Sequence, residues 1–274
     1  MEHKRHRWNA SFAWEPHPGP YKFVTPEQAD QFDRDGYTVV PDLLSAEDLE
    51  RTVKEIDALE SKVETFLQQQ ENTRAGIAES GAITFTTHIV ARSEWLRSLV
   101  TSAPFTGICH DLLGPDVRLY WDQAVYKKPE KPRRFPWHQD NGYTFVEPQQ
   151  YLTIWLALTD ATLENGCPQV VPGLHREGTL RHYWVDPLGF ECFSEPDEVA
   201  VAEVAAGGAV VFSSLTPHLT GPNTTAAVRK AYIVQYAPDG AVALRGDPKS
   251  PPAEREPCTN PAWQFPVLAG GEPV

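Results

Sequence analysis

The second half of the chain is a series of short apolar runs separated by proline and glycine, and this pattern restricts the fold more than any other feature of the sequence. The runs hold ten residues or fewer and are rich in Val, Ile, Tyr and Trp; they cover residues 117–126, 152–158, 169–171, 209–213 and 230–236. Runs of this length between turn residues predict the antiparallel strands of a sandwich or barrel. The 25 prolines among 274 residues agree with many turns and few long helices.

The first part of the chain carries helix signals instead. A threonine N-cap followed by proline predicts a helix over 25–36, and Ser45 begins a second helix whose apolar residues recur every three or four positions. A short strand at 37–40 separates these helices. Residues 93–114 form a further helical stretch that is interrupted near Pro104.

These patterns predict a mainly β protein with flanking α-helices, in which the N-terminal helices pack on a cupin-like jelly roll. No linker separates the two halves, so we expect a single domain over residues 1–274. Its parts are a polar arm at 1–24, helical support at 25–114, and a jelly-roll core at 115–274 with a lid-like insertion at 176–206.

Charge, hydropathy and cysteine pattern argue against nucleic-acid-binding, membrane-spanning and disulfide-stabilised proteins. With 24 Lys and Arg against 37 Asp and Glu, the formal net charge is −13, which disfavours nucleic acid as a partner because phosphate contacts need clustered cations. No apolar stretch approaches the ~20 residues of a membrane span. The four cysteines form no C-x-x-C pair and the N-terminus has no apolar leader, so we expect reduced thiols in a cytoplasmic monomer or homodimer.

A metal site is indicated by the triplet His138-Gln139-Asp140. On a strand, residues i and i+2 share a face, so His138 and Asp140 reach a common point while Gln139 points away. The triplet alone also fits a chance surface pair. If strands at 138–144 and 216–220 lie together, His218 completes the two-histidine, one-carboxylate set of non-haem iron oxygenases, whereas a structural zinc site would want four ligands.

Eleven residues after His218, Arg229 opens the last long run. The turn-forming residues 221–225 predict a hairpin that would bring the guanidinium to the metal site, facing inward. A planar fork of donors binds a carboxylate in bidentate fashion. This geometry fits a 2-oxoacid that chelates iron at one end and has a second carboxylate at the other.

These motifs, in this order, resemble the phytanoyl-CoA dioxygenase family, and the resemblance covers roughly residues 25–270. It rests on Pro136 to Asp140, Leu152 to Thr162, Glu164 to Cys167, Val170 to His175, and His218 with Arg229. The family implies a double-stranded β-helix and a dioxygenase that uses Fe(II), 2-oxoglutarate and O₂.

The resemblance also implies roles for individual residues. His138, Asp140 and His218 would hold iron, and Arg229 would bind the far carboxylate of 2-oxoglutarate. Cofactor-pocket positions are matched by Trp155 and Thr220, and more weakly by Gln123. Related halogenases lack the carboxylate found here at Asp140, so this residue favours hydroxylase chemistry.

The predicted function is therefore hydroxylation, or another oxidation at an unactivated C–H, of a small organic molecule in natural-product tailoring or catabolism, with release of succinate and CO₂. The alternatives are a non-catalytic metal- or sugar-binding jelly roll of cupin type and a hydrolytic metalloenzyme. Candidate substrate contacts are Tyr143, Phe145 and His182. His175 is expected to be structural, and the basic residues between 127 and 134 are expected to form a solvated face.

Overall fold

The computed structural model describes residues 3–249 and 253–274 of the chain. Within these residues the α-helices are α1 (Pro26–Asp35), α2 (Ala46–Gln68), α3 (Glu94–Val100) and α4 (Ala103–Leu113). None of the described helices combines the length and the apolar character needed to cross a bilayer.

Helix α1 begins and ends where its sequence signals predict. The Thr25 hydroxyl accepts a hydrogen bond from the Gln28 N–H, and the Gln28 side chain accepts one from the Thr25 N–H, which makes a capping box. Gly36 ends the helix with a φ of 83°, in the left-handed region. Ser45 caps α2 by accepting from the Asp48 N–H.

The predicted helical stretch 93–114 is two helices. Ser93 caps α3 through the Leu96 N–H, and the chain leaves the helical conformation at Thr101. Pro104 lies in the first turn of α4, where its missing N–H costs no helical hydrogen bond. Proline therefore begins the second helix.

The strands form two main sheets and two small ones. They are β1 (Tyr37–Val40), β2 (Arg74–Ala75), β3 (Ala78–Glu79), β4 (Ile83–Thr87), β5 (Val117–Lys127), β6 (Phe135–His138), β7 (Val146–Glu147), β8 (Leu152–Ala157), β9 (Pro168–Val170), β10 (Tyr183–Val185), β11 (Gly189–Glu191), β12 (Ala200–Val201), β13 (Ala209–Ser213), β14 (His218–Thr220), β15 (Arg229–Pro238), β16 (Val242–Arg245), β17 (Glu254–Pro257), β18 (Pro266–Ala269) and β19 (Glu272–Pro273).

The major sheet has the order β1-β13-β8-β15-β5-β4-β3-β2, with β18 beside the start of β5 and β19 beside β18. Side chains alternate across it. Tyr232 and Val234 of β15 pack outward in one core with the helical residues Ile56 and Phe105. Ile233 faces inward, in the core of the barrel. The N-terminal helices thus cover the outer face, as the sequence predicts.

The minor sheet has the order β12-β9-β14-β6 and carries the two candidate histidine ligands. Strands β14 and β6 are antiparallel, and their register places His218 directly opposite His138. Two residues that are 80 positions apart in the sequence are therefore directly paired on adjacent strands. The jelly-roll architecture is confirmed.

Two local predictions were wrong. Strand β6 ends at His138, and residues 140–142 form a 3-10 turn, so no strand runs over 138–144. Residues 221–225 do not form a hairpin: β14 lies in the minor sheet and β15 in the major sheet, so the segment crosses from one sheet to the other. The asparagine in this segment, Asn223, stabilises the crossing by donating to the carbonyls of Lys127 and Ala227.

The predicted arm and insertion are in contact with each other. Arg5 forms an isolated antiparallel bridge with Leu180, and the buried Asn9 donates to the carbonyls of Glu177 and Thr179. The insertion at 176–206 contains the β10–β11 hairpin, and its last strand, β12, pairs with β9. The start of the chain therefore packs on the end of the barrel that carries the candidate site.

Candidate metal centre and active site

His138, Asp140 and His218 form a cluster of metal-ligand type in the described part of the chain. One ligand atom from each lies within 4.8 Å of the others. Asp140 Oδ1 is 3.8 Å from His138 Nε2 and 3.9 Å from His218 Nε2. Both histidines are buried, and Asp140 is nearly so. The structure brings together the three residues that the sequence singled out.

Backbone carbonyls orient both imidazole rings. His138 Nδ1 is 2.8 Å from the Pro136 carbonyl oxygen, and His218 Nδ1 is 3.0 Å from that of Thr216. A carbonyl only accepts, so each Nδ1 carries the proton and each Nε2 lone pair is left for a metal. Burial, followed by the nearby His218, lowers the pKa of His138 well below its ordinary value, which keeps this ring neutral.

Asp140 reaches the histidines although it lies on a turn. Gln139 has extended backbone angles, so the i, i+2 relation to His138 holds across the end of the strand. The Gln139 side chain points away, as predicted, and donates to the carbonyls of Gly178 and Leu215. The Thr153 hydroxyl donates to Asp140 Oδ2, which leaves Oδ1 facing the two imidazoles.

Arg229 is buried in the barrel without an acidic partner among the described residues. Its Nη1 donates to the Val125 carbonyl, while Nε and Nη2 have no hydrogen-bond partner. Burial lowers the pKa of Arg229 to about 9. An unpaired buried guanidinium is costly, and a bound carboxylate would remove that cost.

Lys127 is a second buried cation beside Arg229. The register of β5 and β15 sets these residues opposite each other, and Lys127 is 1% exposed. Its ammonium donates to three carbonyls, those of Arg133, Thr220 and Gly221. The expected solvated face is therefore wrong for Lys127, which lies on the inner face at the end of a long strand.

Two of the three predicted cofactor-pocket residues, Trp155 and Thr220, lie near Arg229 and Lys127. The Arg229 guanidinium carbon lies 5.0 Å from the ring centre of Trp155. Thr220 is buried on β14, two residues after His218. Gln123 lies instead in the wall of the open cavity, on the metal side of β5.

A cavity of about 680 Å³ opens onto the metal cluster. His138, Asp140 and Tyr143 are in its wall, so Tyr143 lies where a substrate could reach it, and its contact with substrate stays a prediction. The rest of the wall comes mainly from α2, the β2–β3 hairpin and the inner faces of β4, β5 and β15. Its other members are Val63, Phe66, Leu67, Ala75, Gly76, Ile77, Ala78, Phe85, Thr87, Tyr120, Trp121, Gln123, Phe135, Thr144, Tyr151 and Gln235.

Phe145 and His182 do not line this cavity, and their predicted substrate contacts are corrected. Phe145 packs against the rings of His6 and Trp8, 4.9 and 5.6 Å away, because the turn after Asp140 reverses its direction. His182 Nε2 accepts a hydrogen bond from the Gln139 N–H. Burial lowers the pKa of His182 to about 4, so the ring is neutral and can accept this hydrogen bond from the backbone next to His138.

Thr153, Lys127 and Gln235 are site residues that sequence reasoning missed. Thr153 and Gln235 are polar residues with apolar neighbours inside their strands, Lys127 is the last residue of β5, and all three lie on the inward-facing alternation. Alternation counted from Trp155, Arg229 and Gln123, each along its own strand, would have placed all three on the inner face. His175 is structural, as expected: its Nε2 contacts the Asp33 carbonyl.

The sequence profile of the phytanoyl-CoA dioxygenase family matches residues 32–231, well over half of the chain and all of the cluster described above. The chain belongs to this family. Its members are Fe(II)- and 2-oxoglutarate-dependent dioxygenases, so the resemblance stated from the motifs is confirmed.

Individual relatives agree with this assignment. A methylphosphonate hydroxylase of Gimesia maris is 28% identical over 225 residues, which cover 78% of this chain and 80% of that protein. An ectoine dioxygenase of Sphingopyxis alaskensis is 28% identical over 192 residues, 66% of this chain and 62% of that one. The crystal structure of the carbocyclase SnoK from nogalamycin biosynthesis has a TM-score of 0.67 at 25% identity, over 82% of this chain and 89% of that chain.

The protein is therefore a non-haem, 2-oxoglutarate-dependent oxygenase that acts on a small organic molecule. Solved structures with the same fold contain Fe³⁺ with 2-oxoglutarate, or 2-oxoglutarate with 5-hydroxyectoine. These findings favour the oxygenase over the non-catalytic cupin alternative.

Proposed function

We propose that His138, Asp140 and His218 hold Fe(II), that Arg229 binds the far carboxylate of 2-oxoglutarate, and that the bound substrate is hydroxylated in the cavity beside them. The observation that carries the proposal is the buried Arg229 guanidinium with two unsatisfied nitrogens. A buried cation without a partner is rare in a stable protein unless a ligand supplies the anion. The carboxylate of a 2-oxoacid is such an anion.

The donor set fits Fe(II). Two imidazole nitrogens and one carboxylate oxygen leave open positions for a chelating co-substrate and O₂. With iron bound, the site would couple the oxidative decarboxylation of 2-oxoglutarate to succinate and CO₂ with oxidation of a substrate C–H bond.

The chain itself orients the reactants and limits access of water. Thr153 and the two backbone carbonyls fix the three ligand atoms, as described above. Trp155 and Lys127 flank Arg229, so the proposed carboxylate pocket is closed by an indole face on one side and by a second cation on the other. Thr220, whose hydroxyl makes no hydrogen bond among the described residues, lies between the metal cluster and Lys127 and is proposed to complete the pocket.

The test is the formation of the ternary complex without oxygen. Purified protein with Fe(II) and 2-oxoglutarate under anaerobic conditions should develop a weak visible charge-transfer band. His138→Ala and His218→Ala should lose the band, because a ligand is missing. Arg229→Met should still bind Fe(II) but should need far more 2-oxoglutarate to develop the band.

Turnover coupled to succinate formation is the second test of the proposed function. With O₂ and a substrate, the wild type should form one succinate for each molecule oxidised, and neither histidine variant should form any. A wild type that shows no band, or a histidine variant that keeps it with an intact circular dichroism spectrum, contradicts the proposed ligands. A hydrolytic enzyme would turn over without O₂.

Four statements remain predictions. We propose that residues 1–274 act as one dioxygenase domain, that the outcome is hydroxylation and not desaturation, epoxidation or ring closure, that the protein is a cytoplasmic monomer or homodimer, and that it binds no nucleic acid. Support for the first is that α1 and α2 pack on the sheet that carries Arg229. The four cysteines are buried and unpaired, which agrees with reduced thiols.

A further inference from the structure

The wall of the cavity contains two glutamines whose amide groups have no partner. Gln235 on β15 and Gln123 on β5 both line the cavity. Their side chains make no hydrogen bond to any residue in 3–249 or 253–274. Gln235 is 7% exposed and Gln123 is half-buried, so both amides face the cavity and not the outer surface of the protein. Buried amides are normally hydrogen-bonded, and a bound ligand is the partner that this cavity can supply.

Gln235 lies next to the metal cluster. The sheet register sets it opposite Thr153 on one side and opposite Trp121 on the other. Side chains opposite each other on antiparallel strands have Cβ atoms about 4.5–5.5 Å apart. Thr153 is hydrogen-bonded to Asp140. A ligand group bound by Gln235 is therefore separated from the proposed iron ligand Asp140 by a single side chain, that of Thr153.

The described residues of the cavity wall offer no cationic side chain to an anionic substrate. None of the described residues in its wall is Lys or Arg, and the one acid is Asp140. Arg74, Arg133 and Arg134, which lie near its rim, are paired with Asp186, Glu79 and Glu191. An anionic substrate would lose its hydration without gaining a counterion from the wall, which costs several kcal/mol. A cationic substrate would find only Asp140, whose oxygens are already taken up by Thr153 and the proposed metal.

The rest of the cavity wall is largely aromatic and can pack against a ring system of a substrate. Six aromatic side chains face the cavity from the sheets and the loop after Asp140: Phe85, Tyr120, Trp121, Phe135, Tyr143 and Tyr151. The ring of Tyr143 lies edge-on to His138, with 5.5 Å between the centroids. A volume of about 680 Å³ is within the range of pockets for drug-sized ligands, about 300–1,000 Å³.

We propose that the substrate is an uncharged molecule with a largely apolar ring system, and that the Gln235 amide, with Gln123 beside it, binds a carbonyl or hydroxyl group of that molecule and so determines which carbon faces the metal. This inference rests on the proposed function, because it places the substrate against the proposed iron ligands. It identifies Gln235 as a specificity-determining residue.

Three matched probes test the inference: 2-acetylnaphthalene, which is neutral and has a carbonyl, 2-ethylnaphthalene, which has no polar group, and 2-naphthoate, which is anionic. Binding to the anaerobic Fe(II) and 2-oxoglutarate complex is measured by equilibrium dialysis at saturating 2-oxoglutarate. The acetyl probe should bind about tenfold more tightly than the ethyl probe, the ratio expected for one well-placed hydrogen bond. Its advantage over the naphthoate should be larger, because the carboxylate would lose its hydration without gaining a counterion.

Gln235→Met keeps the length of the side chain and removes the amide. In this variant the preference for the acetyl over the ethyl probe should disappear, while the discrimination against the naphthoate remains. Gln69→Met, at an exposed glutamine outside the cavity wall, is the matched control and should leave all three affinities unchanged.

The outcomes separate the two proposals. Absence of the charge-transfer band before any probe is added contradicts the proposed function itself. With the band present, the inference is overturned if the naphthoate binds as tightly as the acetyl probe. It is also overturned if the acetyl probe fails to bind up to its solubility limit, or if Gln235→Met keeps the wild-type preference.

Discussion

Three hydrogen bonds set the atoms that the proposed ligands present to the metal. Two run from imidazole Nδ1 atoms to backbone carbonyls, and the third runs from Thr153 to Asp140. The first two have main-chain acceptors, so substitution of the accepting residue's side chain does not remove the acceptor. The third depends on a single hydroxyl and is therefore open to mutation.

Thr153→Val should lower the affinity for Fe(II) by about 10–100-fold, because partners that orient a metal ligand have effects of this size. Anaerobic calorimetric titration with Fe(II) measures it. Thr153→Ser keeps the hydroxyl and should keep the affinity close to that of the wild type. Equal losses in the two variants would show that packing of the threonine methyl group, and not the hydrogen bond, is responsible.

Asp122 is a buried acid on the outer face of β5, away from the metal cluster. Its Oδ2 accepts from the Ile89 and Val90 N–H groups and from the Tyr232 hydroxyl, while Oδ1 has no partner. Burial raises the pKa of Asp122 to about 6 in spite of these hydrogen bonds. The folded protein therefore holds a proton that the unfolded chain has already released between about pH 4 and pH 6.

The free energy of unfolding should fall as the pH rises through this window, by roughly 3 kcal/mol in all and by about 1.4 kcal/mol between pH 5 and pH 8. Asp122→Asn resembles the protonated acid and should lose this dependence, so its stability relative to the wild type should grow with pH. Urea unfolding of the metal-free protein at pH 5 and pH 8 measures the difference. Asp30→Asn, at an exposed acid on α1, serves as the control, and an identical pH slope in all three proteins would refute the assignment.

At the scale of elements, the junction between α1 and β1 is a close contact between the helical layer and the site. A Cβ at Gly36 would lie 2.5 Å from His175 Nδ1 and from Thr216 Oγ1. Thr216 in turn donates to the Gly36 carbonyl and accepts from His218. Gly36 therefore both ends the helix and supports the strand that carries a proposed ligand.

Gly36→Ala should destabilise the protein by at least about 2 kcal/mol more than Gly240→Ala. Both glycines have a φ near 83°, so an alanine suffers the same left-handed strain of about 1–2 kcal/mol at either position. No atom would lie within 4 Å of a Cβ at Gly240, so the difference isolates the steric clash. Chemical denaturation measures both, and equal losses would mean that the junction relaxes freely.

Two hairpins meet at the mouth of the cavity. The β2–β3 hairpin supplies part of the wall, and Arg74 at its start is paired with Asp186 of the β10–β11 hairpin at 2.7 Å. Tyr143 joins the second hairpin to the wall by accepting from the Phe190 N–H. Closure of the insertion 176–206 as a lid remains a prediction.

At the scale of the molecule, the two sheets contribute different parts of the site. The minor sheet carries both histidines, and the major sheet carries Arg229. A 2-oxoglutarate bound as proposed would join the sheets through the metal at one end and the guanidinium at the other. Its binding should therefore stabilise the whole fold and not a local segment.

Thermal unfolding without oxygen tests this coupling. At about 100 times its dissociation constant, 2-oxoglutarate with Fe(II) should add roughly 2.7 kcal/mol of stability, which raises the midpoint by roughly 5–10 °C. Arg229→Met should lose the increment from 2-oxoglutarate but keep the one from Fe(II). Without ligands this variant should be at least as stable as the wild type, because it removes an unpaired buried charge.

Arg229→Lys keeps a cation and should keep part of the 2-oxoglutarate increment. A full increment in Arg229→Met would show that the co-substrate binds elsewhere.

Much of this architecture was predictable because it depends on local patterns. Neighbouring residues determine the cap at Thr25, the left-handed Gly36 and the short strands between turn residues. They also determine the i, i+2 relation of His138 and Asp140. The predicted hairpin after His218 failed because a turn-rich segment can either pair two strands or carry the chain between sheets, and local residues do not distinguish the two. Lys127 was misassigned because its burial depends on the carbonyls of Thr220 and Gly221, which are 93 and 94 positions away in the sequence.

The sequence by itself determined the types of the candidate ligands, their order and the family, since these are properties of residue identity and spacing. Only the tertiary structure decided which groups lack partners. The unsatisfied nitrogens of Arg229 and the free amide of Gln235 appear only once every other strand has been placed around them. Hydrogen-bond satisfaction depends on all of a group's neighbours in space, and for these two residues we propose that a bound ligand supplies the missing neighbour.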